Sequence, residues 1–166
     1  MAEESRTYAD VVLAHAPALL RLAVMLTGGR EDAEDLLQSA FLRAARHAER
    51  IAAMAAPAAY LRRVLVNEHL SQGRRSARRV RTVAEGAEPA RPDAGDPLAA
   101  RDEAWRWLST LAANQRAVLV LRYYEDLPDA DIAELLGCPE STVRSHAHRG
   151  LAALRRHLQH QPEGEP

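Results

Sequence analysis

The chain has one cysteine, no lysine and few aromatic residues. Cys138 stands alone, which excludes an intrachain disulfide and a zinc site built from cysteines. We expect it to be a small buried thiol. All 22 residues counted as Lys or Arg are arginine. Because Phe, Trp and Tyr make up only 4% of the chain, leucine, valine and alanine must form the core.

The chain also lacks a strong net charge. The formal net charge is −1 over 166 residues, which argues against a uniformly basic nucleic-acid-binding protein and makes the local distribution of charge informative. No signal peptide is recognisable at the start, and we expect no apolar run of membrane-spanning length. The sequence therefore predicts a soluble, cytoplasmic protein.

Apolar residues at helical spacing are abundant. Hydrophobic residues make up 47% of the chain and recur at three- and four-residue steps, which predicts an all-α fold. From about residue 83 to 97 they give way to Ala, Gly, Pro, Glu and Asp, a composition typical of flexible linkers. We predict two small helical domains, 1–80 and 98–160, joined by a flexible linker, 81–97, and followed by a disordered tail, 161–166.

A helix-turn-helix is predicted near the end of the chain. The first helix spans Asp129 to Leu136 and ends at Gly137, and the second begins at Pro139. One stripe of the second helix is apolar. The rest of its surface carries short hydrogen-bonding side chains and cations, the types that contact bases and phosphates: Ser141, Thr142, Arg144, Ser145, His146 and Arg149. The alternative is the solvated face of an ordinary helical hairpin.

Two helices are predicted at the start of the chain. The first runs from Thr7 to Thr27 and the second from Glu31 to Arg50. In the second helix Asp35, Gln38 and Leu42 follow one another at steps of three and four, so they share one surface. A carboxylate, an amide and an exposed leucine together suit a protein partner.

A third helix is predicted from about Ala58 to Gln72, and a dense arginine run follows it. The helix projects Arg62, Arg63 and Asn67, and the run comprises Arg74, Arg75, Arg78, Arg79 and Arg81. A run this dense beside a polar helix face favours a track for phosphates. The alternative is a solvated basic tail.

The second domain is expected to begin with a helix from Leu98 to about Leu111. Asn114 can cap the next helix, whose core residues are expected to be Val118, Leu119, Leu121 and Tyr124. His146 and His148 point in different directions on a helix, and no carboxylate completes a metal set with them. We find no phosphate loop, nucleophile or acid pair. The sequence predicts no enzyme, no metal and no cofactor.

Four segments resemble one family in order and spacing. They are DAEDLLQSAFLRA from Asp32, YLRRVLVN from Tyr60, QRAVLVLRYYEDL from Gln115 and DIAELLGCPESTVRSH from Asp131. Together they are similar to the extracytoplasmic-function (ECF) group of bacterial RNA polymerase sigma factors, and more narrowly to the actinobacterial sigma-E-type branch. The resemblance covers almost all of the chain apart from the linker and the last residues.

The resemblance implies roles for both domains. The first corresponds to sigma region 2, in which Asp35, Gln38 and Leu42 would dock on the β′ clamp helices of core RNA polymerase. The second corresponds to region 4, whose helix-turn-helix residues would face the −35 element of promoter DNA and whose polymerase partner would be the β flap. The residues implied to recognise and open the −10 element are Arg62, Arg63, Asn67, Arg74 and Arg75.

The resemblance also implies an anti-sigma partner and no small-molecule substrate. Two positions depart from the family: Ser71 stands where Asp is frequent, and His146 stands where many members have Arg. Two other functions remain open on the residues alone. A stand-alone helix-turn-helix regulator would dimerise on a palindromic site, and a helical adaptor would show no salt-dependent DNA affinity.

Overall fold

The computed structural model describes residues 6–82 and 105–159, and the regular structure in these ranges is helical. Its contacts divide the chain into two compact units. We call residues 6–82 the N-terminal unit and residues 105–159 the C-terminal unit. The predicted all-α class with two helical domains is confirmed. The linker from residue 83, the beginning of the helix predicted from Leu98, and the tail lie outside the described residues.

The described part of the N-terminal unit is built from four helices. These are α1 (Tyr8–Thr27), α2 (Arg30–Ala45), α3 (Ala48–Ala52) and α4 (Pro57–Thr82). The α1 helix begins with a reciprocal cap, in which the Thr7 side chain accepts from the Asp10 backbone and the Asp10 carboxylate accepts from the Thr7 backbone. It ends at Gly28, whose φ of 90° is left-handed and suits glycine because it has no Cβ.

The expectation that no apolar run reaches membrane-spanning length is wrong for α1. This helix has 20 residues and a mean hydropathy of 1.6 in its most apolar window, so by length and composition it could cross a membrane. It packs on α2, α3 and α4. Five residues of α1 are buried there: Val11, Leu19, Leu22, Ala23 and Leu26. A core helix of a compact unit meets the same criteria of length and composition.

The single helix predicted from Glu31 to Arg50 is broken. The α2 helix ends at Ala45, His47 leaves helical geometry with φ −123° and ψ 30°, and α3 then makes little more than one turn. This break turns Ile51 into the core, where it is fully buried. The carbonyl of Ala52, at the end of α3, accepts from Arg6 Nε at 3.1 Å and Nη2 at 2.8 Å, so a side chain from outside the segment stabilises the C-terminal end of α3.

The third helix is longer than the sequence predicted. Instead of stopping near Gln72, α4 continues to Thr82, and the arginine run is part of a helix. Arginine is a good helix former and no proline interrupts the run. One pair across two turns supports it, because Arg75 Nη2 lies 3.2 Å from Glu68 Oε1. Arg81 and Thr82, which the sequence assigned to the linker, therefore belong to α4.

The C-terminal unit contains the predicted helix-turn-helix. We call the helical residues 105–109 α5. The α6 helix (Ala113–Leu119) runs directly into a π-helical turn (Val120–Tyr124), and α7 (Asp129–Leu136) and α8 (Glu140–Gln159) follow. Gly137 ends α7 with φ 64° and ψ 40°, as the sequence predicted. The Pro139 carbonyl accepts from Thr142 N at 2.9 Å and begins α8. Cys138, expected to be buried, is only partly buried.

Two details of α6 differ from the sequence analysis. Asn114 does not cap the helix, which begins after Ala112 without a side-chain cap. Instead the Arg116 guanidinium donates to the carbonyls of Leu108 at 2.8 Å and of Ser109 and Leu111 at 3.2 Å, and its burial lowers the pKa of Arg116. These bonds satisfy carbonyls at the end of α5 and just after it.

The expectation that Tyr124 lies in the core is wrong. Val118, Leu119 and Leu121 are buried as predicted, but Tyr124 is 41% exposed and Tyr123 is 64% exposed. The π-helical turn is the reason, because its wider turn shifts the side-chain register. The Glu125 N–H reaches back five residues to the Val120 carbonyl at 3.1 Å, so residues after Leu121 no longer follow the helical spacing used for the prediction.

The C-terminal unit depends on a close approach of α6 and α8 at Gly150. A Cβ atom at this position would lie 2.9 Å from Leu119 Cδ1 and 3.3 Å from Leu119 Cγ, and Leu119 is itself only 4% exposed. A side chain at residue 150 would therefore push against a packed neighbour.

We predict that Gly150→Ala destabilises the protein. Alanine favours a helix by about 1 kcal/mol over glycine, but overpacking a core costs about 1–3 kcal/mol, so we expect a net loss of about 1 kcal/mol. Urea unfolding of the full chain measures this loss. Ser145→Ala, on the exposed face of α8, is the control, and a gain in stability for Gly150→Ala would contradict the prediction.

Candidate functional site

A groove between α1 and α2 contains the three residues predicted to bind a protein partner. Asp35, Gln38 and Leu42 all line this groove, whose volume is about 730 Å³. All three are exposed, and Leu42 is 68% exposed. We call this surface the docking groove. Eight further residues line it: Tyr8, Ala9, Val12, Leu20, Glu34, Leu37, Phe41 and Ala45.

The docking groove combines an apolar floor with an acidic edge. Val12 and Leu20 of α1 and Leu37 of α2 supply apolar side chains, and Glu34 and Asp35 contribute two carboxylates. Tyr8 is fixed at one side because its hydroxyl donates to the Phe41 carbonyl at 2.7 Å. Burial, and then the nearby Tyr60, raise the pKa of Tyr8. An apolar groove with charged edges is a typical receptor for an amphipathic helix.

A second pocket, basic in character, lies between the end of α2 and one face of α4. Its volume is about 400 Å³. We call it the basic pocket, and it is lined by Arg43, Arg46, His47, Tyr60, Val64, Asn67, Ser71 and Arg74. The α4 members recur at steps of four and three, so they form one stripe of the helix. Arginines, an aromatic ring and an amide suit a phosphate and an unstacked base.

Only part of the predicted −10 set lies in the basic pocket. Asn67 and Arg74 line it. Arg75 lies beside it and donates to Ser71 Oγ at 3.1 Å and to Glu68 Oε1 at 3.2 Å. Arg62 is two residues from Tyr60, about 200° around the helix, so it lies on the opposite face of α4 and is partly buried. Arg63 is exposed but does not line the pocket.

Five residues of the basic pocket were not singled out from the sequence. Arg43, Arg46 and His47 come from the end of α2 and the turn after it, and Tyr60 and Val64 lie on α4. Cations in the last turn of a helix are favoured by the helix dipole whatever their function. The arginines at the end of the second helix were visible in the sequence. The helix dipole was a sufficient reason for their position, so they did not indicate a pocket.

The exposed side of α8 carries the residues predicted to contact the −35 element. Ser141, Arg144, Ser145 and Arg149 are exposed, whereas Thr142 and His146 are partly buried at the flank of the helix. The packed side is set by Val143 and Ala147, which are 0% and 1% exposed. Arg144 Nη1 pairs with Glu140 Oε2 at 3.2 Å one turn earlier. The six predicted residues thus occupy one continuous surface, with His146 nearest the core.

His146 differs from the other polar residues of this surface. Its Nδ1 atom is buried and has no hydrogen-bond partner. Burial, and then the charge of Arg149, lower the pKa of His146, which favours the neutral imidazole. Among the described residues, no group of three His, Cys, Asp or Glu side chains could hold a metal ion.

Comparison with known proteins connects both units to one class. Residues 11–79 match Sigma-70 region 2 and residues 101–154 match Sigma-70, region 4. The chain is 37% identical to the RNA polymerase sigma-E factor of Streptomyces coelicolor over 91% of this chain and 85% of that protein. It is 38% identical to the ECF RNA polymerase sigma factor SigL of Mycobacterium tuberculosis over 87% and 85%, respectively.

A solved structure agrees with these sequence matches. The sigma factor RpoE of Bartonella quintana, in a co-crystal structure with the anti-sigma factor NepR, has a TM-score of 0.66 and 26% sequence identity; the match covers 93% of this chain and 98% of that one. The fold and these matches thus define a sigma factor with regions 2 and 4. The chain belongs to the ECF family of RNA polymerase sigma factors.

We predict that His146 makes folding stability depend on pH. Its folded-state pKa is lowered, so below about pH 6.5 the unfolded state binds the proton more strongly and stability falls as the pH falls. Thermal unfolding between about pH 7 and pH 5 should therefore show a smaller decrease in Tm for His146→Gln than for the unmodified protein. His148→Gln, at an exposed position of the same helix, controls for loss of an imidazole. An unchanged pH dependence in His146→Gln would contradict this prediction.

Proposed function

We propose that this protein binds core RNA polymerase as a non-catalytic subunit and directs it to promoters that carry −10 and −35 elements. The observation that carries the proposal is the placement of two surfaces on α2. This helix contributes Asp35, Gln38 and Leu42 to the docking groove and Arg43 to the basic pocket, and Arg46, directly after the helix, also lines the pocket. A polymerase contact and a DNA contact would then lie on neighbouring parts of one rigid helix.

The docking groove is proposed to receive the clamp helices of the β′ subunit. A helical partner fits an open groove formed by two helices, with apolar residues against Val12, Leu37 and Leu42. The carboxylates of Glu34 and Asp35 favour cations at the edge of that partner. In the C-terminal unit, polymerase contact is proposed to be with the β flap.

The basic pocket is proposed to hold a base of the −10 element after it leaves the DNA stack. Tyr60 offers a ring for stacking, and the Asn67 amide can both donate and accept at a base edge. Arg43, Arg46 and Arg74 supply charge for the neighbouring phosphates. Arg75 supports the pocket from its side, while Arg62 and Arg63 are proposed to contact DNA outside it.

The exposed side of α8 is proposed to enter the major groove of the −35 element. Arg144 and Arg149 reach furthest among its exposed side chains and can contact a guanine or a phosphate. Ser141, Thr142 and Ser145 are short enough to let the helix approach the bases closely. His146 is proposed to act as a neutral hydrogen-bonding residue at the flank of the contact.

The two units are proposed to work as tethered modules. We propose domains at 1–82 and 98–160, with a linker between them, because two weak interfaces on one chain produce a strong combined affinity. This arrangement needs no cofactor and no small-molecule substrate. It differs from a stand-alone regulator, which needs a dimer on a palindromic site, and membership of the sigma family favours the tethered arrangement.

Control by an anti-sigma factor is part of the proposal. It is supported by the similar RpoE chain, whose structure is a complex with the anti-sigma factor NepR. The docking groove offers an apolar surface that such an inhibitor could cover in place of polymerase. We propose a cytoplasmic protein that associates with the nucleoid when active and that an anti-sigma factor can hold at the membrane.

We predict that Asp35→Arg combined with Gln38→Ala prevents binding to core polymerase. The change reverses a charge and removes an amide on an exposed face, so helicity should be unchanged. Co-elution with core enzyme and run-off transcription from mapped genomic fragments should both be lost. Glu31→Arg, on the exposed first turn of α2 but outside the groove, is the control for charge alone. Normal co-elution of the double variant would refute the docking assignment.

We predict that Arg144→Ala weakens promoter binding by the holoenzyme. A lost base contact costs about 1–3 kcal/mol at one promoter position, whereas a lost phosphate contact lowers affinity evenly across sequences and reduces the salt dependence. Binding to promoters with single substitutions in the −35 element distinguishes these outcomes. Arg155→Ala, on the exposed part of α8 nearer its end, is the matched control. An Arg144→Ala variant with unchanged affinity on every promoter would remove Arg144 from the site.

A further inference from the structure

Glu68 is buried although it carries a charge. It lies on α4, is 7% exposed, and is the charged residue found in the core of the described part of the chain. It does not line the basic pocket. A carboxylate removed from water is strongly unfavourable unless charged or hydrogen-bonding groups surround it. Glu68 therefore requires hydrogen-bond donors close to both of its oxygens.

Both oxygens of Glu68 are used. Oε2 accepts from Arg43 Nη1 at 2.5 Å. Oε1 accepts from Arg75 Nη2 at 3.2 Å and from Gln72 Nε2 at 3.3 Å. Arg43 belongs to α2, whereas Arg75 and Gln72 lie further along α4. One buried carboxylate therefore joins two helices of the N-terminal unit.

The pairs with Glu68 differ from ordinary surface ion pairs. The Arg43 and Arg75 side chains are 59% and 61% exposed, while the Glu68 side chain is 8% exposed. Two exposed partners would gain little from pairing, because water competes for both. Here water has little access to the carboxylate, so the arginines must supply the hydrogen bonds and their heads are held in place.

The two arginines held by Glu68 act on the basic pocket from different directions. Arg43 lines the pocket directly. Arg75 Nη2 also donates to Ser71 Oγ at 3.1 Å, and Ser71 lines the pocket. The hydroxyl of Ser71 carries no charge, so the carboxylate that orients this side of the pocket comes from Glu68, one turn earlier on α4.

We propose that Glu68 is a positioning residue for recognition of the −10 element. It holds the Arg43 guanidinium and the Arg75–Ser71 pair in a single arrangement around the pocket, and its charge offsets one of the pocket's cations. This inference rests on the proposed function of the basic pocket. It means that Glu68 governs discrimination between bases rather than overall attraction to DNA.

The test compares holoenzyme containing Glu68→Gln with unmodified holoenzyme on two forked DNA probes. One probe carries the −10 sequence mapped by run-off transcription as single-stranded DNA, and the other carries a scrambled −10 sequence. Glutamine keeps the shape of the side chain and removes the charge. We expect discrimination between the probes to fall about tenfold, equivalent to one well-placed base contact, without weaker binding to the scrambled probe. An equal loss on both probes, or no loss of discrimination, would overturn the proposal.

A double-variant cycle tests whether Glu68 acts through Arg43. If it does, Glu68→Gln should reduce discrimination much less in an Arg43→Gln background than in the unmodified protein. Equal reductions in the two backgrounds would show that Glu68 does not act through Arg43, and would overturn the proposal that it positions this guanidinium. Arg43→Lys serves if Glu68→Gln does not fold, because it keeps the charge but loses the guanidinium fork. Full discrimination by Arg43→Lys would also overturn the proposal.

The Asn67→Ala variant distinguishes failure of the positioning role of Glu68 from failure of the proposed function of the basic pocket. Asn67 lines the basic pocket and is not among the partners of Glu68 described above. If Asn67→Ala leaves discrimination unchanged, the basic pocket is not the −10 site and the proposed function of the pocket fails. If Asn67→Ala reduces discrimination but Glu68→Gln does not, the pocket stands and the positioning role is overturned. Co-elution with core polymerase confirms in each case that the variant is folded.

Discussion

The N-terminal unit depends on the close packing of α2 between α1 and α4. The buried stripe of α2 is Ala33, Leu36, Leu37, Ala40 and Ala44, and its three alanines let the neighbouring helices approach. Burial of this stripe fixes the rotation of α2. Since the helix is rigid, Asp35 and Leu42 must then face the groove beside α1, and Arg43 and Arg46 must face α4. One packing constraint thus produces both the docking groove and the basic pocket.

The C-terminal unit also depends on close packing of helices, which here requires glycine at residue 150. Gly150 allows α8 to lie against Leu119 of α6, and the left-handed Gly137 sets the turn between α7 and α8. Together they hold α8 with Val143 and Ala147 inside. The polar residues of α8 are exposed as a consequence, so the surface proposed to contact DNA follows from the way the opposite side of the helix packs.

Most helices, and the residues that share the faces proposed to bind protein and DNA, could be predicted because they follow local rules. Helical spacing, the cap at Thr7 and the glycines after α1 and α7 act over a few residues, and so does the shared face of Asp35, Gln38 and Leu42. Errors arose where something other than helical spacing decided the outcome. His47 breaks the second helix and the end of α3 is bonded by the distant Arg6. The α6 helix begins without the expected cap from Asn114, and the π-helical turn exposes Tyr124.

The sequence by itself determined the helical class, the helix-turn-helix and the order of motifs that marks the ECF sigma family, because each depends on periodicity or on neighbouring residues. Only the tertiary structure decided that Arg43, Arg46 and His47 join Asn67 and Arg74 in one pocket. Only the tertiary structure, too, buried Glu68 between α2 and α4, where it pairs with Arg43 from 25 residues earlier. Such pairing depends on how helices pack, and no local spacing encodes it.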